Sequence, residues 1–189
     1  MNTNSSDFKI QEALDALGIK AVNLGFLIAI SFFMIEIERK FLVNSNDYRA
    51  EASSVITITQ GYLNSNPERS VRIRLTDQTA FITVKGKSNE SGLSRFEWEK
   101  ELSKTEAEAL LKHCEKTIIS KTRYEVPVGA HLFEVDEFLG ANKGLVVAEI
   151  ELRSEDETFS KPDWLGEEVT GTTKYYNSNL SNTPFCDWK

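Results

Sequence analysis

The segment from Met34 to Val43 alternates with a period of two. Ile35, Ile37, Arg39 and Phe41 fall on one face of a strand, and Glu36, Glu38 and Lys40 fall on the other. On a strand this spacing sets two carboxylates and an ammonium in a row, about 7 Å apart. Like charges at that distance repel, so such a face is a poor place to build a core. Two carboxylates of this kind suit a divalent cation, and the lysine beyond them suits an anion bound to that cation. A single segment of this sort is also what an ordinary solvated strand face looks like. The constraint on the fold comes from its repetition along the chain.

Seven further stretches read as strands, bounded by turn signals. Val55–Leu63 alternates, and Asn64–Glu68, with Pro67, forms a loop. Ser70–Leu75 sets Arg72 and Arg74 on one face, and Ala80–Lys87 does the same with Lys85 and Lys87. A hairpin joining these two strands gathers four cations, which repel unless an anion sits among them. Leu93–Leu102 lines up Arg95, Glu97, Glu99 and Glu101, and Thr117–Val126 lines up Lys121 and Arg123. Ala130–Phe138 carries Glu134 and Asp136, and Leu145–Leu152 carries Glu149 and Glu151. Ser103–Cys114 is the clearest helix: Ser103 or Thr105 is placed to cap it, Glu106 supports the first turn, and Ala107, Leu110 and Leu111 form an apolar stripe. A short helix is expected at residues 154–159 and another turn or two within Thr173–Leu180.

Of the eight candidate strands, seven put charged residues on one face and apolar residues on the other. A sandwich would turn the charges to solvent. A closed antiparallel barrel would enclose them in a polar lumen and cover its apolar outside with helices or a partner subunit. Nine acids and eight bases on these faces nearly balance, as enclosed charges must. Keeping so many charges enclosed is costly unless a charged ligand uses them, which favours the barrel.

The net charge of −7 argues against a general nucleic-acid surface. Cys114 and Cys186 lack metal-ligand spacing and fit a reducing cytoplasm, and His113 and His131 stand isolated. Residues 1–33 differ in character from the rest. Asp7–Leu17 has the pattern of a short helix, and the apolar run Leu24–Ile35 is shorter than the roughly 20 residues of a membrane span. The division expected is an N-terminal extension over 1–33, with Met34 as an alternative start, and one domain over 34–189.

These residues in this order resemble the CYTH superfamily, the triphosphate tunnel metalloenzymes. Glu36-Ile-Glu-Arg-Lys40 carries the E-x-E-x-K signature. The similarity continues through Arg72-Ile-Arg74, Lys85-Gly-Lys87, Glu97-Trp-Glu99, Lys121-Thr-Arg-Tyr124, Glu134-Val-Asp136, Glu149-Ile-Glu151 and Thr173-Lys-Tyr-Tyr-Asn177. Gln60-Gly-Tyr-Leu63, Gly92-Leu-Ser-Arg95 and Trp164–Thr170 look like the short bacterial members that hydrolyse inorganic triphosphate. The resemblance implies an eight-stranded antiparallel barrel enclosing a tunnel, with Mg²⁺ or Mn²⁺ as cofactor. Carried onto this chain, it makes Glu36, Glu38, Glu149, Glu151 and Asp136 the metal ligands. Lys40, Arg72, Arg74, Lys85, Lys87, Arg123 and Lys174 become the substrate-binding cations, with Lys40, Glu38 and Asp136 at the chemistry. The activity implied is hydrolysis of inorganic triphosphate to pyrophosphate and phosphate. A class IV-type adenylate cyclase and a thiamine triphosphatase are the alternatives, and a non-catalytic polyphosphate binder is the reading of another class. Apolar outer strand faces also allow a homodimer.

Overall fold

The computed structural model describes residues 34–115 and 117–188. The helix expected at Asp7–Leu17 and the proposed N-terminal extension lie outside them.

The alternating segments form strands β1 (Ile35–Val43), β2 (Ser54–Asn64), β3 (Arg69–Leu75), β4 (Ala80–Ser88), β5 (Ser94–Leu102), β6 (Ile119–Val128), β7 (His131–Phe138) and β8 (Val146–Glu151). Each pairs antiparallel with its neighbours in the order β5-β4-β3-β2-β6-β7-β8-β1, and β1 also pairs with β5. That last pairing closes a ring of eight strands, as the enclosed charge required. A ninth strand, β9 (Leu165–Glu168), adds to the edge of β1.

Three apolar clusters explain why the ring is stable, and two of them lie on its outside. Phe41, Tyr48, Phe133, Val135, Ile150 and Trp164 pack on the outer face of β1, β7 and β8. They are covered by the four-residue helix α1 (Tyr48–Glu51) and by the segment running into β9. Ile73 and Ala80, on the outer face of β3 and β4, pack against Ala107 of helix α2 (Lys104–Leu111). The Ser103 hydroxyl accepts from the Glu106 amide while the Glu106 carboxylate accepts from the Ser103 amide, so α2 begins with a reciprocal cap.

The third cluster lies at one end of the lumen. The inward alternation that carries charge turns apolar there, through Leu42, Tyr62, Ile119, Phe138 and Val147. Onto these pack Tyr175, Leu180, Phe185 and Trp188 from the C-terminal segment. That segment runs through a 3-10 turn (Thr173–Tyr175) and helix α3 (Asn177–Asn182), interrupted by extended backbone at Tyr176. The helix expected at residues 154–159 does not form. Those residues make turns and extended chain, with the Glu157 side chain accepting from the Arg153 amide and pairing with His131. Six residues without a packed face are too few to nucleate a helix.

Candidate active site

The charged faces of all the strands except β2 meet inside the ring. At its centre lies Lys40, only 4 % exposed, with its ammonium 3.1 Å from Glu38 and ion-paired to Glu149. Burial opposes the Lys40 charge, but Glu149 and Glu38 outweigh it and hold the ammonium above its ordinary pKa. Burial likewise works against the Glu149 carboxylate, yet Lys40, Lys121 and Arg123 hold it well below the usual carboxylate range.

Behind Lys40 lies a largely buried ion cluster. The Arg123 guanidinium forks onto Asp136 through Nε and Nη2, both at 2.7 Å, and reaches Glu149 at 3.2 Å. Arg123 also pairs with Glu134, and Lys121 pairs with Asp136. Asp136 is 0 % exposed. Burial would raise its pKa, but Arg123 and Lys121 bring it below the ordinary value. Burial pushes Lys121 down to about 8, despite Asp136.

Toward the C-terminal segment the lumen is basic. The Lys85 ammonium lies 2.8 Å from Glu36 and 2.7 Å from Glu97, and Arg95 Nε lies 2.7 Å from Glu36. Arg74 donates to Glu99 at 3.0 Å, and Arg72 donates to the Thr83 hydroxyl at 3.2 Å. A cavity of about 40 Å³ lies among Lys40, Arg72, Lys85, Arg95 and Tyr176. It adjoins a vestibule of about 470 Å³ on the outer side of Arg95 and Tyr176. Gln60, on the inward face of β2, and the Nε of Arg72 are buried polar groups with no partner among the described residues. Such groups call for a polar occupant.

At the opposite mouth the lumen is acidic. A cavity of about 330 Å³ is lined by Glu38, Glu134, Glu149, Glu151 and Glu157, with Arg153 and His131 at its rim. Burial and the neighbouring Glu36, Glu134, Glu38 and Glu97 push Glu151 up to about 7. Among the described residues, no three acidic, histidine or cysteine side chains stand in a ready-made metal cage. The donor set nevertheless fits a hard divalent cation. It is made of carboxylate oxygens, and one of them, Glu151, has its pKa pushed up by burial and by like charges whose repulsion a cation would relieve.

Residues 34–184 match the CYTH domain. The chain belongs to the CYTH family. It is 46 % identical to an inorganic triphosphatase of Acetivibrio thermocellus over 155 residues, covering 82 % of this chain and 97 % of that protein. It is 40 % identical to an inorganic triphosphatase of Nitrosomonas europaea over 154 residues, covering 78 % and 97 %. A solved inorganic triphosphatase structure superposes with a TM-score of 0.54 at 34 % identity, covering 77 % of this chain and 93 % of that one.

Within this CYTH ring, Glu36, Glu38, Lys40, Arg72, Arg74, Lys85, Arg123, Asp136 and Glu149 are brought together, with Glu151 at the acidic mouth. Two expected cations are not. Lys87 is 71 % exposed at its side chain and pairs with Glu68 outside the lumen. The cause is a bulge: Lys85 pairs with Glu97 but Ser88 pairs with Arg95, so β4 carries one extra residue and its alternation reverses. Lys174 points away from the lumen, its ammonium 4.9 Å from the Tyr175 ring centre and 5.1 Å from that of Trp188. Asp136 lines none of these cavities, since both its oxygens are taken by Arg123 and Lys121. Arg95 and Tyr176, which line both the inner basic cavity and the vestibule, have the stronger geometric claim. Arg95 was legible as an inward base by alternation. Tyr176 carried no such signal.

Proposed function

We propose that this CYTH protein hydrolyses inorganic triphosphate to pyrophosphate and phosphate inside the ring, with Mg²⁺ or Mn²⁺ as cofactor. The observation that supports it most directly is the inner cavity, where Lys40, Arg72, Lys85 and Arg95 converge beside Glu36 and Glu38. Each of these bases is already matched by a carboxylate or hydroxyl. A polyanion arriving with a cation can exchange these partners, the bases turning to phosphate and the carboxylates to the metal, without leaving a buried charge alone. Both relatives named as inorganic triphosphatases are matched over 97 % of their length, which supports the same substrate.

Phosphoryl transfer depends chiefly on positioning and on neutralising charge, and the chain supplies both. Lys40, held protonated by Glu149 and Glu38, serves as a cation and not as a base. Arg72 and Lys85 bind phosphate oxygens, with Arg74 beside them, and Arg123, aimed by Asp136, completes the positive wall. Glu36, Glu38, Glu149 and Glu151 would hold the cation, which when bound neutralises phosphate charge and makes water more acidic. Glu38 and Glu151 are the carboxylates placed to orient or deprotonate water.

The deciding experiment measures phosphate release from inorganic triphosphate, ATP and thiamine triphosphate with Mg²⁺, Mn²⁺ or EDTA, and cyclic AMP in parallel. Rapid metal-dependent release from triphosphate, with both organic substrates poor, is the expected result. Cyclic AMP formation would replace this reading with a cyclase, and binding without turnover would replace it with a polyphosphate binder.

We place the enzyme in the cytoplasm, because both cysteines are free. Among the described residues, no helix is long and apolar enough to cross a membrane. Ile35, Phe96 and Trp98 remain exposed on the outer face of paired strands β1 and β5, and a homodimer through that face would cover them. A monomeric mass by light scattering would remove the dimer.

A further inference from the structure

Strand β1 is served on one edge by two different partners. Its first part pairs with β5, from Ile35↔Phe96 to Ile37↔Ser94. Its last part pairs with β9, at Phe41↔Glu168 and Val43↔Leu165. The changeover falls on Glu38, Arg39 and Lys40, the stretch that carries two of the site groups. No strand ladder serves this edge there. The Glu38 amide donates to the Leu93 carbonyl at 2.9 Å, and the Lys40 carbonyl accepts from the Val169 amide at 2.8 Å. The Lys40 amide donates to a side chain: Thr170 Oγ1, at 3.0 Å.

That hydroxyl is itself held. It donates to Glu168 at 2.8 Å, and Glu168 is forked by Arg39, whose Nε lies 2.7 Å away. The loop that carries it is held as well. Gly171 and Gly92, both at φ +74°, meet so closely that a Cβ on Gly92 would stand 2.6 Å from the Gly171 Cα. The two loops thus close the seam between β5 and β9, and Thr170 lines the narrow slot that leads inward to Glu36, Glu38 and Lys40.

We infer that Thr170 is a positioning residue for Lys40: its hydroxyl replaces the missing strand partner and fixes the backbone from which the lysine reaches Glu38, Glu149 and the phosphate site. The inference rests on the proposed triphosphatase activity for its catalytic consequence, but not for its structural one. A small displacement of a positioned group is costly to rate. Without the hydroxyl, the Lys40 amide is also left without an acceptor at a partly buried position.

The test compares Thr170→Val and Thr170→Ser in the full chain. Steady-state triphosphate hydrolysis with Mg²⁺ is measured alongside hydrogen exchange at the Lys40 amide. T170V is expected to lower kcat by roughly tenfold to a hundredfold with a smaller change in KM, while T170S stays within about twofold of wild type. Exchange at Lys40 should be slow in wild type and T170S and at least about tenfold faster in T170V. A T170V enzyme with wild-type kcat, or equal losses in T170V and T170S, would overturn the inference. So would a Lys40 amide that exchanges in wild type as fast as exposed amides, a reading that stands even if T170V does not fold. Wild-type protein that releases no phosphate would sink the triphosphatase reading instead, and the Lys40 amide would still decide the positioning claim.

Discussion

The two ends of the lumen are built from the same strands but hold charge in different ways. On the basic side, Lys85 is shared between Glu36 and Glu97, Arg95 rests on Glu36, and Arg74 rests on Glu99. Every cation named there is compensated, so the protein carries those charges without a ligand. At the acidic mouth Glu151 faces Glu36, Glu38, Glu97 and Glu134, and burial and repulsion keep its proton on up to about 7. One end is preorganised by internal pairing, and the other stays short of positive charge. Buried pairs cost less than buried lone charges, so the basic end is stable empty and the acidic end gains most from an incoming cation. The Arg123–Asp136 fork is more deeply buried than either end and lines neither cavity, whereas Glu38 and Glu149 line both.

Removing that fork should have the largest effect. Arg123→Ala leaves Asp136 and Glu149 without their guanidinium in the interior, and unfolding in urea should show a loss of about 3–5 kcal/mol. A loss near that of an exposed ion pair would mean the fork contributes little. Next comes the group that belongs to both ends. Glu38→Gln should lower metal-dependent phosphate release by roughly 10²–10³-fold while the fold persists, and an unchanged rate and metal dependence would break the metal assignment.

The basic end should respond through substrate affinity. Arg72→Lys keeps the charge but loses the planar fork, and should raise KM for triphosphate by about tenfold with little change in the Mg²⁺ requirement. A change confined to metal dependence would erase the distinction between the ends.

The acidic end should respond through pH. The folded pKa of Glu151 lies above its unfolded value, so the folded state binds the extra proton and the metal-free protein loses stability as pH rises from about 4.5 to about 7. Allowing for the exposure of this side chain, the loss should be about 1 kcal/mol, and Glu151→Gln should abolish it in melting curves recorded with EDTA. Equal pH profiles for the two proteins would show that Glu151 is not repelled. The smallest effect belongs to Lys87, outside the lumen beside Glu68. Lys87→Ala should leave kcat/KM within about twofold of wild type, and a loss as large as that of Arg72→Lys would bring it back into the site.

Much of this architecture was legible in the chain. Alternation in eight segments identified the ring strands to within one or two residues at most ends, and it placed Glu36, Glu38, Lys40, Arg72, Arg74, Lys85, Arg123 and Glu149 on the inward face. The capped helix α2 was equally plain, because Ser103 and Glu106 carry the capping spacing. Strand β9 was not. Leu165-Gly-Glu-Glu168 has no alternation, and it is a strand only because β1 offers it an open edge. The short helix α1 escaped for the same reason: four residues carry no period of their own.

The sequence by itself determined which residues share a face, because that depends on a backbone repeat spanning only a few residues. Tertiary structure decided which of those faces keep their promise. An extra residue in β4 reversed the alternation and turned Lys87 outward, and two aromatic rings at the C-terminal end drew Lys174 away. The apolar end of the lumen was closed by a segment distant in sequence, and the edge of β1 at Lys40 was completed by the Thr170 hydroxyl. Each of these outcomes depends on hydrogen bonds or packing between residues far apart along the chain, and a local period cannot encode them.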